Sequence, residues 1–268
     1  MAGRRTEKDS DYFRVVDDAI NSYTWAAVVK LQERGIIDDV LGPVGQGKEA
    51  KLVLARRRDG THAALKIFYP VPVKFVKSRY GYVLGDPRFR GLKVRNYLHL
   101  VQVWCRKEFG NLSRAFRAGA RVPEPYGFYR NVLAMRFVGS GTTPAPLLAD
   151  VGLEGLDDPD SVLYEIVKSV ERVYILGGLV HGDLSPFNVL YDGESPWIID
   201  WGSAVRRGHP RELDYLRRDV ERILEFFGSS IEPQRLLKRL VERGSWRGPI
   251  DVDEEGWLLI GGRRIVDD

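Results

Sequence analysis

The sequence predicts an α+β chain of two lobes, β-rich up to about residue 138 and α-rich beyond it, and three observations carry that prediction. "DDVLGPVGQGKEAKLVLARRRDGTHAALKIFYP" alternates short apolar runs with glycine-bearing turns, the pattern of a β-meander. "SVLYEIVKSVERVYILG", "RELDYLRRDVERILEFFG" and "EPQRLLKRLVERG" repeat apolar residues at helical spacing. The small-residue connection "GSGTTPAP" after Phe137-Val138 separates the two textures. With 268 residues, 44% of them hydrophobic, the chain can bury one sizeable core or two small lobes around a cleft.

In order along the chain, residues 1–40 form an N-terminal extension. It has a polar start and two short helices in "YFRVVDDAINSYTWAAVVKLQERGII", broken near Asn21. Residues 41–138 form the β-rich lobe, three strands joined by a glycine-rich turn and the turn "RDG". A connection over residues 70–96 mixes Pro, Gly, basic and aromatic residues without a period, and is read as a flexible insert. "YLHLVQVWCRKEFGNLSRAFRAGA" is an amphipathic helix that stops at Gly119 with arginines in its last turns. "YGFYRNVLAMRFV" is a hairpin turning at "RN". Residues 139–268 form the α-rich lobe, and its tail "GPIDVDEEGWLLIGGRRIVDD" is read as a short hairpin turning at "GG".

Composition narrows the function classes. The net charge of +4 allows an anionic partner without demanding one. A single cysteine, Cys105, rules out an intramolecular disulfide, fits a reducing compartment, and sits between apolar neighbours as a small core residue would. No run of about 18 apolar residues and no apolar leader occurs, so the expectation is a soluble cytoplasmic protein with no membrane partner.

The chemistry lies in "LVHGDLSPFNVLYDGESPWIIDWG". "VHGDL" and "WIIDWG" each put a carboxylate where a short strand meets a loop. "NVLYDGESPWIID" reads as a hairpin around "DGESP". If its strands pair, Asn188 and Asp200 meet at one end, with Asp183 just before them on the same loop. Asn plus Asp is an oxygen donor set suited to magnesium, which keeps waters and borrows phosphate oxygens. A further aspartate can orient or deprotonate an attacking hydroxyl. These are the parts of phosphoryl transfer. The order His181, Asp183, four residues, Asn188, then Asp200 matches the catalytic loop and metal-binding Asp of protein kinases, with "DWG" in place of the usual tripeptide. Taken singly, each would pass for a turn or strand-end residue; in register they do not. His181 is read as a structural hydrogen-bonder rather than a base.

The N-terminal half supplies complementary parts. "GPVGQGKEA" is a glycine-rich turn able to lay N–H groups over phosphates, with Gly45, Gly47, Lys48 and Glu49 as the contact candidates. "AALKIF" puts Lys66 mid-strand in an apolar run, where it needs a partner. Glu108 on the amphipathic helix is one candidate and Glu49 a competing one.

On these residues the chain resembles the RIO protein kinases, shortened relatives of the eukaryotic protein kinases, over about residues 20–230. The resemblance rests on "GKEA", on "KEFGNLSRAFRAGARVPEPYGFYRNVLAMRFVG", on "GDPRFR" in the insert, and on "HPRELDYLRRDVERILEFF" where other kinases carry an activation segment and an "APE" motif. The insert is similar to that of the first RIO subtype, and "HGD" looks archaeal. Departures are Gly45-Gln46 for a usual Ser-Thr, Pro186-Phe187 for Glu-Tyr, "DWGSAV" for "DVSQSV", and Arg136 for an acidic hinge residue.

The resemblance implies a bilobal protein-kinase-like fold and serine/threonine phosphorylation with ATP and Mg2+ (Mn2+ as an alternative), chiefly autophosphorylation, with ATPase cycling. It implies Asp183, Lys66 and Glu108 as catalytic residues, Asn188 and Asp200 as metal ligands, Met135 as gatekeeper, and Arg136 and Val138 at the adenine hinge. Ser78 is the autophosphorylation candidate. It also implies a role in maturation of the small ribosomal subunit, with its precursor as partner. The basic insert residues Lys74, Lys77, Arg79, Arg88, Arg90, Lys93 and Arg95 fit contact with RNA or, equally, a solvated loop. Rival readings are an aminoglycoside- or choline-type small-molecule kinase, which shares "HGDL…N" and "IDW", the small kinase of tRNA-modification complexes, and a nucleotide-binding scaffold without turnover.

Overall fold

Strand chemistry organises the first part of the chain. In the computed structural model, which describes residues 22–47, 50–69, 82, 86–89, 91, 96–246 and 248–266, strands β1 (Asp39–Gln46), β2 (Ala50–Arg56) and β3 (His62–Phe68) form the expected meander. β4 (Pro125–Tyr129) and β5 (Val132–Arg136) complete an antiparallel sheet of order β1-β2-β3-β5-β4. The hairpin between β4 and β5 turns at Arg130-Asn131, as read from the sequence, with Arg130 at φ 49°. Pro43 is tolerated because β1 is an edge strand, and bulges interrupt its register at Val40/Gly42 and Pro43/Gly45.

The chain divides into two compact units: Met1–Phe75, Val94–Arg106 and Tyr126–Phe137 in the first, and Val76–Lys93, Lys107–Pro125 and Val138–Asp268 in the second. In the first, period-two alternation sorts the sheet into two faces. Val53, Ala55, Ala63, Leu65, Val132 and Ala134 pack against Ala27, Val28 and Leu31 of helix α1 (residues 22–33). Leu54, Ala64, Met135, Phe137 and Val44 cluster on the other face. Residues 1–21 lie outside the described residues, and with them the first of the two predicted N-terminal helices. Helix α2 (Tyr97–Arg117) begins in the first unit and ends in the second; Cys105 is fully buried in it.

The second unit is mainly helical. After the two-residue strands β6 (Gly139–Ser140) and β7 (Thr143–Pro144) and the short α3 (Leu148–Val151) comes α4 (Pro159–Arg172), capped by Asp158 through Ser161 N–H. A π-helical turn, Val173–Gly177, leads into β8 (Leu179–Val180). β9 (Val189–Tyr191) pairs with β10 (Pro196–Ile198), and β11 (Val205–Arg206) pairs back onto β8. Helices α5 (Glu212–Phe227) and α6 (Pro233–Gly244) follow; their apolar stripes bury Leu216, Val220, Ile223, Leu236 and Leu240.

The C-terminal tail is a hairpin, but not the one expected. β12 (Ile250–Val252) pairs with β13 (Leu258–Ile260), so the chain reverses at Asp253–Gly256, where Asp253 Oδ1 accepts the Trp257 N–H. "GG" makes only a second, tighter reversal, bridging Ile260 and Arg263. Asp253 closes the reversal at "DEEG" by accepting the Gly256 N–H at its carbonyl and the Trp257 N–H at its side chain, while its own N–H donates to Trp257 O. The tail is tied to the helices by Arg243, which donates to Leu258 O, Arg263 O and Glu171 Oε1, the last at 3.1 Å.

Glu171 is fully buried, and burial pushes its carboxyl up to about 7 against the pull of Arg243. Its folded value therefore lies above the unfolded one, so the folded state keeps the proton longer and stability falls as pH rises from about 4.5 to about 7. Glu171→Gln keeps a hydrogen-bond acceptor for Arg243 and should flatten that dependence. Thermal unfolding at pH 5 and pH 8 is expected to differ less in the variant, by the equivalent of about 2 kcal/mol.

Candidate functional site

In the first unit the sheet register puts Gly45 and Lys66, two of the predicted nucleotide-facing residues, in one cross-strand row. Gly45, Leu52, Lys66 and Leu133 are successive partners across β1, β2, β3 and β5. Lys66 is half-buried, with Nζ 5.2 Å from the centre of the Phe68 ring. Alternation puts it on the face that carries Ala64 and Met135, away from α1. Gly47 N–H donates to Ala50 O at 2.9 Å and closes the glycine-rich hairpin. Arg136 is exposed at the end of β5. Lys48, Glu49 and Ser78 lie outside the described residues.

In the second unit β8 delivers the loop His181-Gly182-Asp183. Its shape is dictated by buried polar groups. Asp219, fully enclosed on α5, accepts Gly182 N–H at 2.7 Å and Leu184 N–H at 2.9 Å, so both amides on either side of Asp183 are fixed. Burial pushes the Asp219 carboxyl up to about 7, against these two donors and Arg218. Gly182 must be glycine: it sits at φ 82°, and a Cβ would lie 3.0 Å from Ser203 O. His181 is structural, as read from the sequence. Its Nε2 pairs with Ile199 O at 2.9 Å and its ring packs edge-on against Trp201 at 4.7 Å.

The β9–β10 hairpin brings the two metal candidates together. Ile199 N–H donates to Asn188 O at 2.9 Å, so Asn188 lies opposite the residue before Asp200. Asn188 Nδ2 donates to Asp183 O at 2.7 Å, which ties it to the His181–Asp183 loop through its donor and leaves its amide oxygen outside that bond. Asp200 occupies the left-handed region, φ 61° and ψ 64°, a conformation uncommon for a residue with a side chain.

What holds Asp200 there comes from α2. Lys107 Nζ donates to Gly202 O and Ala204 O, both at 2.6 Å, and Asn111 Nδ2 donates to Trp201 O at 2.9 Å and Ala204 O at 3.1 Å. The turn after Asp200 is thus clamped by three of its carbonyls. Burial, then the nearby Arg88 guanidinium, pushes Lys107 down to about 7, while Asp86, Glu108 and Asp200 act the other way. Glu108 itself is buried beside Lys107.

Asp183 is half-exposed, and Arg222 Nη1 donates to its Oδ1 at 2.9 Å. Tyr82 stacks on Tyr215 at 5.2 Å, and its hydroxyl is pushed up by burial and then by the Asp183 charge. Of the basic insert residues, only Arg88 is described, and its guanidinium is engaged by Asp86 and Asn111 rather than presented to solvent as an RNA contact would be. The other six lie outside the described residues.

No sequence motif marks Asp219, Lys107, Asn111 or Arg222. The first three carry a signal nonetheless: each is a polar residue on the buried stripe of an amphipathic helix, among Leu216, Val220 and Ile223 or Trp104 and Leu112. Arg222 carries none.

Among the described residues no group of three or more His, Cys, Asp or Glu side chains forms a metal cage. The Asn188–Asp200 pair instead suits a hard cation that draws its remaining ligands from water and phosphate. No helix among the described residues is long and apolar enough to cross a membrane.

Comparison with known proteins identifies the family and the fold. Residues 52–239 match the model of the RIO domain. The chain is 40% identical over 221 residues to the RIO-type serine/threonine-protein kinase Rio1 of Haloferax volcanii, covering 82% of this chain and 74% of that protein. It is 35% identical over 230 residues to the human serine/threonine-protein kinase RIO1, covering 82% of this chain but 40% of the human protein. A crystal structure of the Rio2 kinase of Chaetomium thermophilum in complex with ADP/Mg2+ and phosphoaspartate superposes with a TM-score of 0.61 at 25% identity, over 82% of this chain and 66% of that one. The α+β kinase-like architecture, the catalytic-loop pattern and these matches lead to one conclusion: the chain belongs to the RIO-domain family of serine/threonine protein kinases.

Proposed function

We propose that this chain transfers the γ-phosphoryl group of ATP in a magnesium-dependent reaction centred on Asp183, and that it does so during maturation of the small ribosomal subunit. The observation that carries the chemistry is the base of the β9–β10 hairpin, where Asn188 is hydrogen-bonded both to the strand leading into Asp200 and to the carbonyl of Asp183. One acid and one metal-binding pair are thereby held on one short stretch of chain.

In this reading Gly45, Gly47 and Lys48 cover the phosphates with Glu49 beside them in the ATP site, and Lys66, with Glu108 as its partner, neutralises the α- and β-phosphates. Backbone groups of Arg136 and Val138 receive adenine, with Met135 as gatekeeper. Asn188 and Asp200 hold Mg2+, or Mn2+ in its place; the bound cation supplies charge neutralisation on the phosphates. Asp183 orients and deprotonates a serine hydroxyl, with Ser78 the autophosphorylation candidate, or takes the phosphoryl group itself in an ATPase cycle. The phosphoaspartate named for the Chaetomium Rio2 complex supports that second course. A precursor of the small ribosomal subunit is the proposed partner.

Asp200→Ala tests the metal assignment. It should weaken Mg2+-dependent ATP binding by about tenfold or more. Titrating ATP with and without Mg2+ checks this; a variant whose ATP affinity responds to Mg2+ as the wild type does would remove Asp200 from the metal site.

A further inference from the structure

Helix α5 directs three side chains at the catalytic loop from one face: Asp219 to the Gly182 and Leu184 amides, Arg218 to Gly182 O at 3.4 Å, and Arg222 to Asp183 Oδ1 at 2.9 Å. The first two are explained by the fold, because they satisfy backbone groups. The third is not. Both partners of the Arg222–Asp183 pair are substantially exposed, 42% and 51%, and an ion pair of that kind adds little to stability. Its effect falls on one carboxylate, the one the chemistry uses. Asp183 Oδ1 is occupied by the guanidinium, whereas Oδ2 accepts no hydrogen bond from the described residues.

We propose that Arg222 is a further catalytic residue. It anchors Asp183 through Oδ1 so that Oδ2 is the oxygen that takes the γ-phosphoryl group, and its guanidinium then neutralises charge on the aspartyl phosphate. This rests on the reading of Asp183 as a phosphoryl acceptor. In the step, the Oδ2–phosphorus bond forms as the bond from γ-phosphorus to the bridging oxygen breaks, and ADP leaves with that electron pair. Water later attacks phosphorus, the Oδ2–phosphorus bond breaks, and phosphate and the free carboxylate result. An anchored carboxylate loses less orientational freedom on attack. The forked, permanently charged guanidinium suits both the carboxylate and the phosphoryl oxygens that replace its negative charge.

The test uses the full chain with γ-32P-labelled ATP and Mg2+, quenched in acid, with counting of the label that hydroxylamine releases. Asp183→Ala serves as the blank, and ATP affinity is measured in parallel. In Arg222→Gln the hydroxylamine-labile label should fall about tenfold at unchanged ATP affinity, and Arg222→Lys should recover part of it. Equal label in wild type and Arg222→Gln would overturn the role of Arg222 and leave Asp183 as acceptor. Loss of label together with ATP affinity would also overturn it, by making Arg222 a structural residue. Absence of hydroxylamine-labile label in the wild type would overturn the acceptor reading and this inference with it.

Discussion

Replacing Asp183 by alanine is expected to reduce phosphoryl transfer by about 10³-fold or more while leaving ATP affinity within about threefold of wild type. The separation follows from the placement of the groups. The loop backbone around Asp183 is held by Asp219 through Gly182 and Leu184, and Asn188 is held by the carbonyl of residue 183, so neither depends on the Asp183 carboxylate. In the proposed reaction the half-exposed side chain serves as proton acceptor or nucleophilic oxygen, and in the structure it forms an ion pair with Arg222. Turnover unchanged in the variant would remove Asp183 from the chemistry. Loss of binding and turnover together would mean that the side chain supports the site rather than reacts in it.

The second large effect belongs to a residue that touches no substrate. Asp219→Ala leaves the Gly182 and Leu184 amides without their acceptor in a buried site, at a cost of about 3–5 kcal/mol. It also frees the loop that aims Asp183, so kcat should fall by about 10²-fold beyond what the loss of folded protein accounts for. Asp219→Asn keeps one acceptor oxygen and should lie between alanine and wild type in both respects. Chemical denaturation paired with turnover per folded molecule checks this. A variant with native stability and native kcat would contradict the account of how the loop is held.

The fold was legible where local chemistry and tertiary need agree. Alternation and turn residues marked β1 to β3, and "RN" marked the β4–β5 turn. "DGESP" marked the hairpin whose closure joins Asn188 to the segment before Asp200. The tail departs from the expected "GG" turn because two glycines advertise a turn more loudly than an aspartate does, although Asp253 makes a hydrogen bond that closes the reversal. The reacting residues of the candidate site stood out because they break the apolar pattern at strand ends. Their supports did not: Lys107, Asn111 and Asp219 hide inside helices, and only their position on a buried stripe distinguishes them from surface charges. Arg222 could not be found that way, since an exposed arginine on an arginine-rich helix looks the same whether it meets a carboxylate or water.

The most direct measurement follows the label. The purified chain is incubated with γ-labelled ATP and Mg2+, beside Asp183→Ala, with and without small ribosomal subunits, and with a panel of aminoglycosides. Label on the protein, or phosphate release stimulated by the subunits and lost in the variant, is the predicted result. Label carried by an aminoglycoside would contradict the protein-kinase or ATPase reading, and no turnover despite intact ATP binding would contradict the proposed phosphoryl transfer at Asp183.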